Sequence, residues 1–558
     1  MPIDLAVSLG HNSSCVAISS ETGEILCGYE EERLTGVKSD SAYPILSIER
    51  CQTALNRPKI RNVYISHWFA DGRLVKCKYY DKGHMESLGA DLIVSVNKEV
   101  SHHDAHNYSA IAFAQSSPGF EEDFFSLVVD GFGTQGECVS IYQSTKSTAR
   151  FSRTRLLHRA FGYSKSMGIL YQYATAFLGM KMQQDEYKLL GYEAHTDELD
   201  QDELDIIEEH AHKWTQHYLD KIRNPMAIDR DTDPIVNVNA LKETKELVFN
   251  RLWDLLKEFD IEDRDSFKAR VVVAMMVQKI VEDVIITLVL DYKIKKLICS
   301  GGVFMNVKLN MKLSQIVDKI CIMPLAGDQG AALGLYHYHQ RNLKWPDHLY
   351  WGQRDMSEVD KLSDHSDITI FDDRQEFIYA IVDELDHGEQ GFVNIVMGDM
   401  EYGPRALCNT TTLAIPQMMM TQEINRLNNR TTIMPMAPVM TEVMAEKYLT
   451  DDYKKFHKSL EYMIAACVLK PNVSIMDGAA HGYTGTWFGR KFKTCRPQII
   501  DPNHPVYEVL QILDTPLINT SFNYHGVPIV YGLKDIVYST EKQNETGPIK
   551  TFILKTDR

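Results

Sequence analysis

The stretch from Ser101 to Ala114, S-H-H-D-A-H-N-Y-S-A-I-A-F-A, sets the strongest constraint on the fold of this chain. Its second half is small, apolar and free of glycine and proline, which predicts a helix that must be buried. His102 and His106 then stand one turn apart, with both imidazoles on one face. That spacing suits two nitrogen ligands of one metal ion. Two ligands leave a site incomplete, so carboxylates have to arrive from elsewhere in the chain. A surface histidine pair, or two satisfied core histidines, also fits the spacing.

At 558 residues the chain is too long for one core, and two large domains are the natural organisation. A net charge of -17 argues against a protein that coats duplex nucleic acid, and leaves room for a local basic pocket that takes a phosphorylated small molecule. The cysteines (15, 27, 51, 77, 138, 299, 321, 408, 467, 495) are scattered, with no C-x-x-C pair, and predict reduced, buried thiols in a cytoplasmic protein. Asp4 interrupts the first apolar run, so no signal peptide is expected. The most apolar long segment, Val271 to Tyr292, carries Gln278, Lys279, Glu282 and Asp283; it predicts a buried helix and no membrane span.

In chain order, Leu5–Gly10, Cys15–Ser19 and Glu24–Glu30 read as short strands, with the polar loop His11-Asn12-Ser13-Ser14 between the first two. Glu30-Glu31-Glu32-Arg33 and Lys38 follow, and a bare charge run of this kind is normally a solvated surface. Further strands are predicted at Asn62–Ser66, Leu92–Val96 and Phe124–Val129. The last ends in Asp130-Gly131-Phe132-Gly133-Thr134, where glycines let backbone amides approach a phosphate or metal; D-G-x-G is also a common turn. Met167–Leu178 predicts a helix, and Lys181–Leu190 carries Glu186 and Lys188. Residues 196–265 are acidic and read as a mostly helical insertion or accessory segment. Strand Lys296–Cys299 runs into Ser300-Gly301-Gly302-Val303-Phe304-Met305-Asn306, and strand Lys319–Met323 into a loop where Asp328 suits a metal carboxylate or a helix N-cap. A polar, irregular stretch near 345–370 divides the chain. Beyond it, Arg405, Arg430 and Arg496, with the hydroxyls of Asn519-Thr520-Ser521-Phe522-Asn523, suit a pocket for an anionic small molecule.

The His11 loop, E-E-E-R, H-H-x-A-H, D-G-x-G, S-G-G-V and G-D-x-G, followed by G-P-R-A-L, A-P-V, R-P-Q and N-T-S-F-N, stand in the order found in the O-carbamoyltransferases, the family of nodulation-factor and antibiotic-tailoring enzymes. The chain resembles that family over nearly its whole length, least clearly at 196–265. The resemblance implies an α/β protein of two domains. Residues 1–350 would form an actin-like, duplicated ribonuclease-H-type domain that transfers the carbamoyl group. Residues 365–558 would form an α/β domain resembling the tRNA threonylcarbamoyl-adenylate synthases. There carbamoyl phosphate and ATP would give carbamoyl adenylate and pyrophosphate, and the adenylate would move to the first domain to meet a substrate hydroxyl.

The resemblance also implies roles. His102, His106, Asp130 and Asp328 would ligate a divalent metal, iron in the family, with magnesium as a companion of ATP. His11 would be the general base, with Lys38 and the carboxylates beside it in the acceptor pocket. Gly131, Gly133, Glu186, Lys188, Gly301, Gly302 and Asn306 would bind the nucleotide, and Arg405, Arg430, Arg496, Ser521 and Asn523 the phosphates.

The chain departs from the family pattern at Thr410, Asn428 and Met434, where basic residues are usual, and at Val527 in place of a glutamate. The acceptor leans toward a 5-hydroxymethylcytosine nucleotide or base, with a sugar hydroxyl of a natural product as the alternative. Threonylcarbamoyl transfer to tRNA and a non-catalytic nucleotide-binding scaffold are the competing functions, and a homodimer is open to the chain.

Overall fold

The computed structural model describes residues 1–68, 79–116, 119–145, 153–224, 238–387, 391–430, 435–481, 486–487 and 490–555. Its first half is built from the same sheet twice. Strands β1 (Ile3–Ser8), β2 (Ser14–Ser19), β3 (Ile25–Glu30), β4 (Ile60–Ser66) and β5 (Leu92–Ser95) lie in the order β3-β2-β1-β4-β5. The first three form an antiparallel meander, and β4 and β5 continue parallel to β1. Strands β6 (Phe124–Val129), β7 (Glu137–Thr145), β8 (Arg153–Phe161), β9 (Lys296–Ser300) and β10 (Lys319–Ile322) repeat that order and those directions, as β8-β7-β6-β9-β10. This repeated strand order is the duplicated ribonuclease-H-type arrangement that the resemblance implies.

Local chemistry explains these elements. β1 and β2 are buried along their whole length, so apart from buried Asp4 and the serines at their ends they read as apolar runs without alternation. Helix His102–Ala114 starts at a capping box: Ser101 Oγ accepts the Asp104 N–H, and the Asp104 carboxylate accepts the Ser101 N–H. It packs between the two sheets, on helix Ala331–Gln340 and strand β9. Helix Phe267–Asp291, capped by Ser266, buries Val271, Val277, Ile280, Val284 and Leu288, each worth roughly 1.5–3 kcal/mol of transfer free energy. No helix among the described residues is long and apolar enough to cross a membrane.

Two expectations need correction. The 196–265 region is mostly helical where it is described, as expected, but it is not an accessory segment. Its helices Gln201–Arg223 and Val238–Glu258 bury Trp214, Leu219, Ile222, Leu252, Leu255 and Leu256 in the core around helix Phe267–Asp291. The E-E-E-R run is not a solvated surface either. Glu31 accepts the N–H groups of Leu46 and Ser47 and the Ser47 hydroxyl, anchoring the start of helix Ile45–Ala54. Glu30 and Arg33, both buried, form an ion pair at 3.2 Å and clasp Gly403: its N–H donates to Glu30 at 3.1 Å and its carbonyl accepts from Arg33 at 2.9 Å.

The second half centres on a mixed seven-stranded sheet, ordered Ile368–Phe371, Lys550–Leu554, Phe392–Met397, Thr410–Ala414, Leu517–Ser521, Ala437–Met440, Gln498–Ile499. It is locked onto the first half by buried polar contacts. Besides the Gly403 clasp, Tyr402 donates to Ser14 Oγ at 2.7 Å, Asn310 donates to the Ile464 carbonyl at 2.7 Å, and Ser459 Oγ accepts the Ile322 N–H at 2.9 Å.

Candidate functional site

The two ribonuclease-H-type sheets and the seven-stranded sheet enclose one cavity of about 610 Å³. At its first-half end, four side chains from three elements converge. His102 and His106 come from the first turns of their helix, Asp130 from the end of β6, and Asp328 from the turn before helix Ala331–Gln340. The two Nε2 atoms are 3.1 Å apart. His102 Nε2 lies 3.2 Å from Asp130 Oδ2 and 3.3 Å from Asp328 Oδ1, and His106 Nε2 lies 3.8 and 3.5 Å from the same atoms. Asp328 caps no helix, so of its two expected roles only the cluster remains.

The donor set fits a divalent cation. Bonds of about 2.0–2.1 Å put neighbouring ligand atoms about 3–3.4 Å apart. The His–His and His102–carboxylate distances of 3.1–3.3 Å fall in that range, and the His106–carboxylate distances are wider, at 3.5 and 3.8 Å. Both imidazoles are fully buried, and two partly exposed carboxylates on the cavity wall face them. Burial works against charge on His102, but Asp328 and Asp130 outweigh it and push its pKa up to about 10. Asp328, although burial opposes it, is held far below the usual carboxylate range by His102 and His106. Outer contacts steady the set: the Gly302 N–H donates to Asp130 Oδ1 at 3.0 Å, and Ser300 Oγ lies 3.4 Å from His106 Nδ1.

His11, Lys38, Gly131, Glu186, Lys188, Gly302 and Asn306 line the same cavity. Burial pushes the Glu186 carboxyl up, against a bond from the Gln183 N–H and the charge of His11. Lys188 pairs with Asp185 at 2.8 Å. Asn306 receives the Leu309 N–H and donates to Gln278 at 2.7 Å, so its side chain is fixed from behind. Gly133 and Gly301 do not line the cavity. Gly301, at φ +98°, lies on the β6 backbone, where a Cβ would stand 2.3 Å from the Val129 carbonyl oxygen. Gly133 packs against His102. Both glycines shape the loops that carry the site.

At the other end, Arg405, Arg430, Arg496, Ser521 and Asn523 line the cavity wall. Arg430 donates to Thr520 Oγ1, Ser521 Oγ and Asn523 Oδ1 at 3.1, 3.2 and 2.9 Å. Among the described residues no carboxylate pairs with these three guanidinium groups. Burial therefore lowers Arg430 and Arg496 to about 10, and burial plus the neighbouring Arg496 lowers Arg405 to about 9. Uncompensated, partly desolvated cations are the physical signature of an anion site.

Two of the departures from the family pattern, Thr410 and Asn428, fall away from this wall. Thr410 is buried and accepts a hydrogen bond from Arg354, and Asn428 is buried and bonded to Gln543 at 2.8 Å. Neither lines the cavity; Met434 lies outside the described residues. The cavity also has walls not expected from the sequence: Asn12, Trp68, Phe132, Tyr171, Tyr187 and His525. Trp68 and Phe132 meet edge-on at 5.1 Å. The signal for Trp68 and Phe132 was their place beside motifs, just after strand β4 and in the loop Asp130–Thr134; Tyr171 and Tyr187 lie within helices and carried none.

Models of two family domains match this chain: "Carbamoyltransferase N-terminus" over residues 69–335 and "Carbamoyltransferase C-terminus" over residues 385–550. An uncharacterized protein of Methanocaldococcus jannaschii is 25% identical, covering 96% of both chains. Nodulation protein NolNO of Sinorhizobium fredii is 24% identical over 96% of this chain and 77% of its own length. The solved structure of full-length HypF in the phosphate- and nucleotide-bound form overlaps 62% of this chain and 47% of its own at 16% identity, with a TM-score of 0.29.

Proposed function

The chain belongs to the carbamoyltransferase family of enzymes, and from that premise we propose that it is an ATP-dependent O-carbamoyltransferase working through carbamoyl adenylate. One observation carries the reading. A single cavity joins an uncompensated arginine cluster in the second half to a two-histidine, two-aspartate cluster in the first. The two halves correspond to an activating domain, 365–558, and a transfer domain, 1–350.

Arg405, Arg430 and Arg496, with Ser521 and Asn523, hold the phosphates of ATP and carbamoyl phosphate. Water cleaves the P–O bond of carbamoyl phosphate, releasing inorganic phosphate, and an oxygen of the resulting carbamate attacks the α-phosphate of ATP as pyrophosphate leaves. Their guanidinium groups neutralise charge that builds on the transferring phosphoryl group. The adenylate crosses the cavity without release, and Glu186, Asn306 and Gly302 receive the nucleoside. His102, His106, Asp130 and Asp328 hold a divalent metal, read as iron(II), which when bound supplies Lewis-acid charge at the phosphate of the leaving AMP. His11 takes the proton of the acceptor hydroxyl as its oxygen attacks the carbamoyl carbon. That bond forms as the bond to AMP breaks.

The acceptor is read as a 5-hydroxymethylcytosine nucleotide or base. Support comes from the wall near His11, where aromatic Trp68, Phe132 and Tyr187 stand beside Lys38 and Lys188 and suit a flat, anionic acceptor. A panel of hydroxymethyl-dCMP, hydroxymethylated DNA, aminoglycosides and tRNA, assayed by mass spectrometry with ATP, carbamoyl phosphate and iron(II), tests this. Carbamoylation of the cytosine compounds supports the acceptor. Carbamoylation of the aminoglycosides alone overturns the acceptor and keeps the reaction.

A further inference from the structure

His102 stands on a helix and Asp130 on the loop after a strand, yet their reacting atoms must keep one geometry. The stretch that begins at Asp130 supplies the link. Thr134 Oγ1 accepts the backbone N–H of His102 at 3.1 Å, and Glu137 Oε2 accepts the N–H of His103 at 3.1 Å. Ser101 Oγ takes the N–H of Asp104 at 3.2 Å. The free donors of the first helical turn are thus taken, two of them by residues just after Asp130. Arg159 on β8 ties the arrangement together, with Nη1 at 2.8 Å from Glu137 Oε1 and Nη2 at 2.7 Å from Asp104 Oδ1. Thr134, Glu137, His102 and His103 are all buried, so water does not compete for these bonds. Gly133 lets the loop lie flat on the helix: a Cβ there would stand 3.0 Å from His102 Cβ and 3.1 Å from Glu137 Oε2.

We infer that Thr134, Glu137 and Arg159 are positioning residues: the stretch 130–137 is a template that fixes the first turn of the histidine helix relative to Asp130, and so sets the geometry of the metal ligands. The inference rests on the reading that His102, His106, Asp130 and Asp328 hold a metal. The capping box of Ser101 and Asp104 already starts the helix. The added acceptors at 134 and 137 therefore govern where the helix starts relative to Asp130, beyond whether it forms.

The test uses the full-length protein and the isosteric pair Thr134→Val and Thr134→Ser, with Arg159→Met and Arg159→Lys as a second pair. Iron(II) and zinc affinity are measured by chelator competition, amide hydrogen exchange over residues 99–108 on the metal-stripped protein, and folding by circular dichroism and Tm. Thr134→Val is expected to weaken metal binding 10- to 100-fold and to speed exchange at His102, with the circular dichroism spectrum retained and Thr134→Ser close to wild type. Wild-type metal affinity together with unchanged first-turn exchange in Thr134→Val would overturn the inference. If wild-type protein takes up no metal, the metal reading fails on its own account. The exchange measurement then still decides whether the template exists. If Arg159→Met does not fold, the Thr134 pair alone decides between the two outcomes.

Discussion

His102 Nε2 and His106 Nε2 stand 3.1 Å apart on fully buried rings, with oxygens of Asp130 and Asp328 within 3.8 Å. Two ring nitrogens facing each other at this distance either share one proton or share one ion. The carboxylates on the same side make an ion the better occupant.

His106→Ala is accordingly expected to keep the fold, because only one imidazole leaves the buried face. It should lose the bound metal and reduce carbamoyl transfer to background. Metal content by plasma mass spectrometry, alongside circular dichroism, checks this; a variant with full metal and normal transfer refutes the assignment.

Arg405 predicts an unusual stability effect. Burial and Arg496 hold its pKa at about 9, below the ordinary arginine value, so the unfolded state binds the extra proton more readily than the folded state. Its charge therefore opposes folding at neutral pH, and the opposition fades as pH rises past 9. Arg405→Met should leave Tm of the ligand-free protein equal to wild type or higher. It should also abolish the rise in Tm that ATP or carbamoyl phosphate produces. Differential scanning fluorimetry at pH 7.5 with and without ligand measures both.

His11→Gln separates the two half-reactions. Pyrophosphate release should continue near the wild-type rate, while transfer to an acceptor falls about 10²–10⁴-fold, the usual contribution of a general base. Equal loss of both activities would remove His11 from the base role.

Glu30 makes stability depend on pH. Burial raises its pKa to about 7, because Glu30, Glu32 and Glu401 share the single cation of Arg33. A raised carboxyl contributes stability that is present below the unfolded value near 4.5 and is lost as pH climbs through 7. Glu30→Gln should match wild type at pH 4.5 and melt higher at pH 8. Parallel Tm against pH curves would contradict this.

Much of the fold was legible because its strands are short apolar runs punctuated by glycine and polar turns. The duplicated strand order was not, since the pairing of β6 with β9 is decided across well over a hundred residues. The histidine pair announced itself by spacing, and Asp130 and Asp328 stood as open candidates. Nothing local in the sequence brings carboxylates from β6 and from the turn after β10 to the same atoms. The E-E-E-R run misled because charge usually means solvent, whereas Glu31 anchors a helix start and Arg33 is enclosed by carboxylates. Trp214, Tyr218, Leu219 and Ile222 show helical periodicity on their face, yet the acidic first half of the helix (Asp202, Glu203, Asp205, Glu208 and Glu209) disguised a core helix as an accessory one. Gly133 and Gly301 looked like ligand loops; tertiary packing against His102 and Val129 explains them better.

The most direct measurement incubates metal-loaded protein with ATP and carbamoyl phosphate and follows carbamoyl adenylate and pyrophosphate by mass spectrometry, first alone and then with the acceptor panel. Both products are expected in equal amounts, and both should be lost in Arg496→Met. Folded, metal-loaded protein that yields neither product, with or without acceptors, would contradict activation through carbamoyl adenylate.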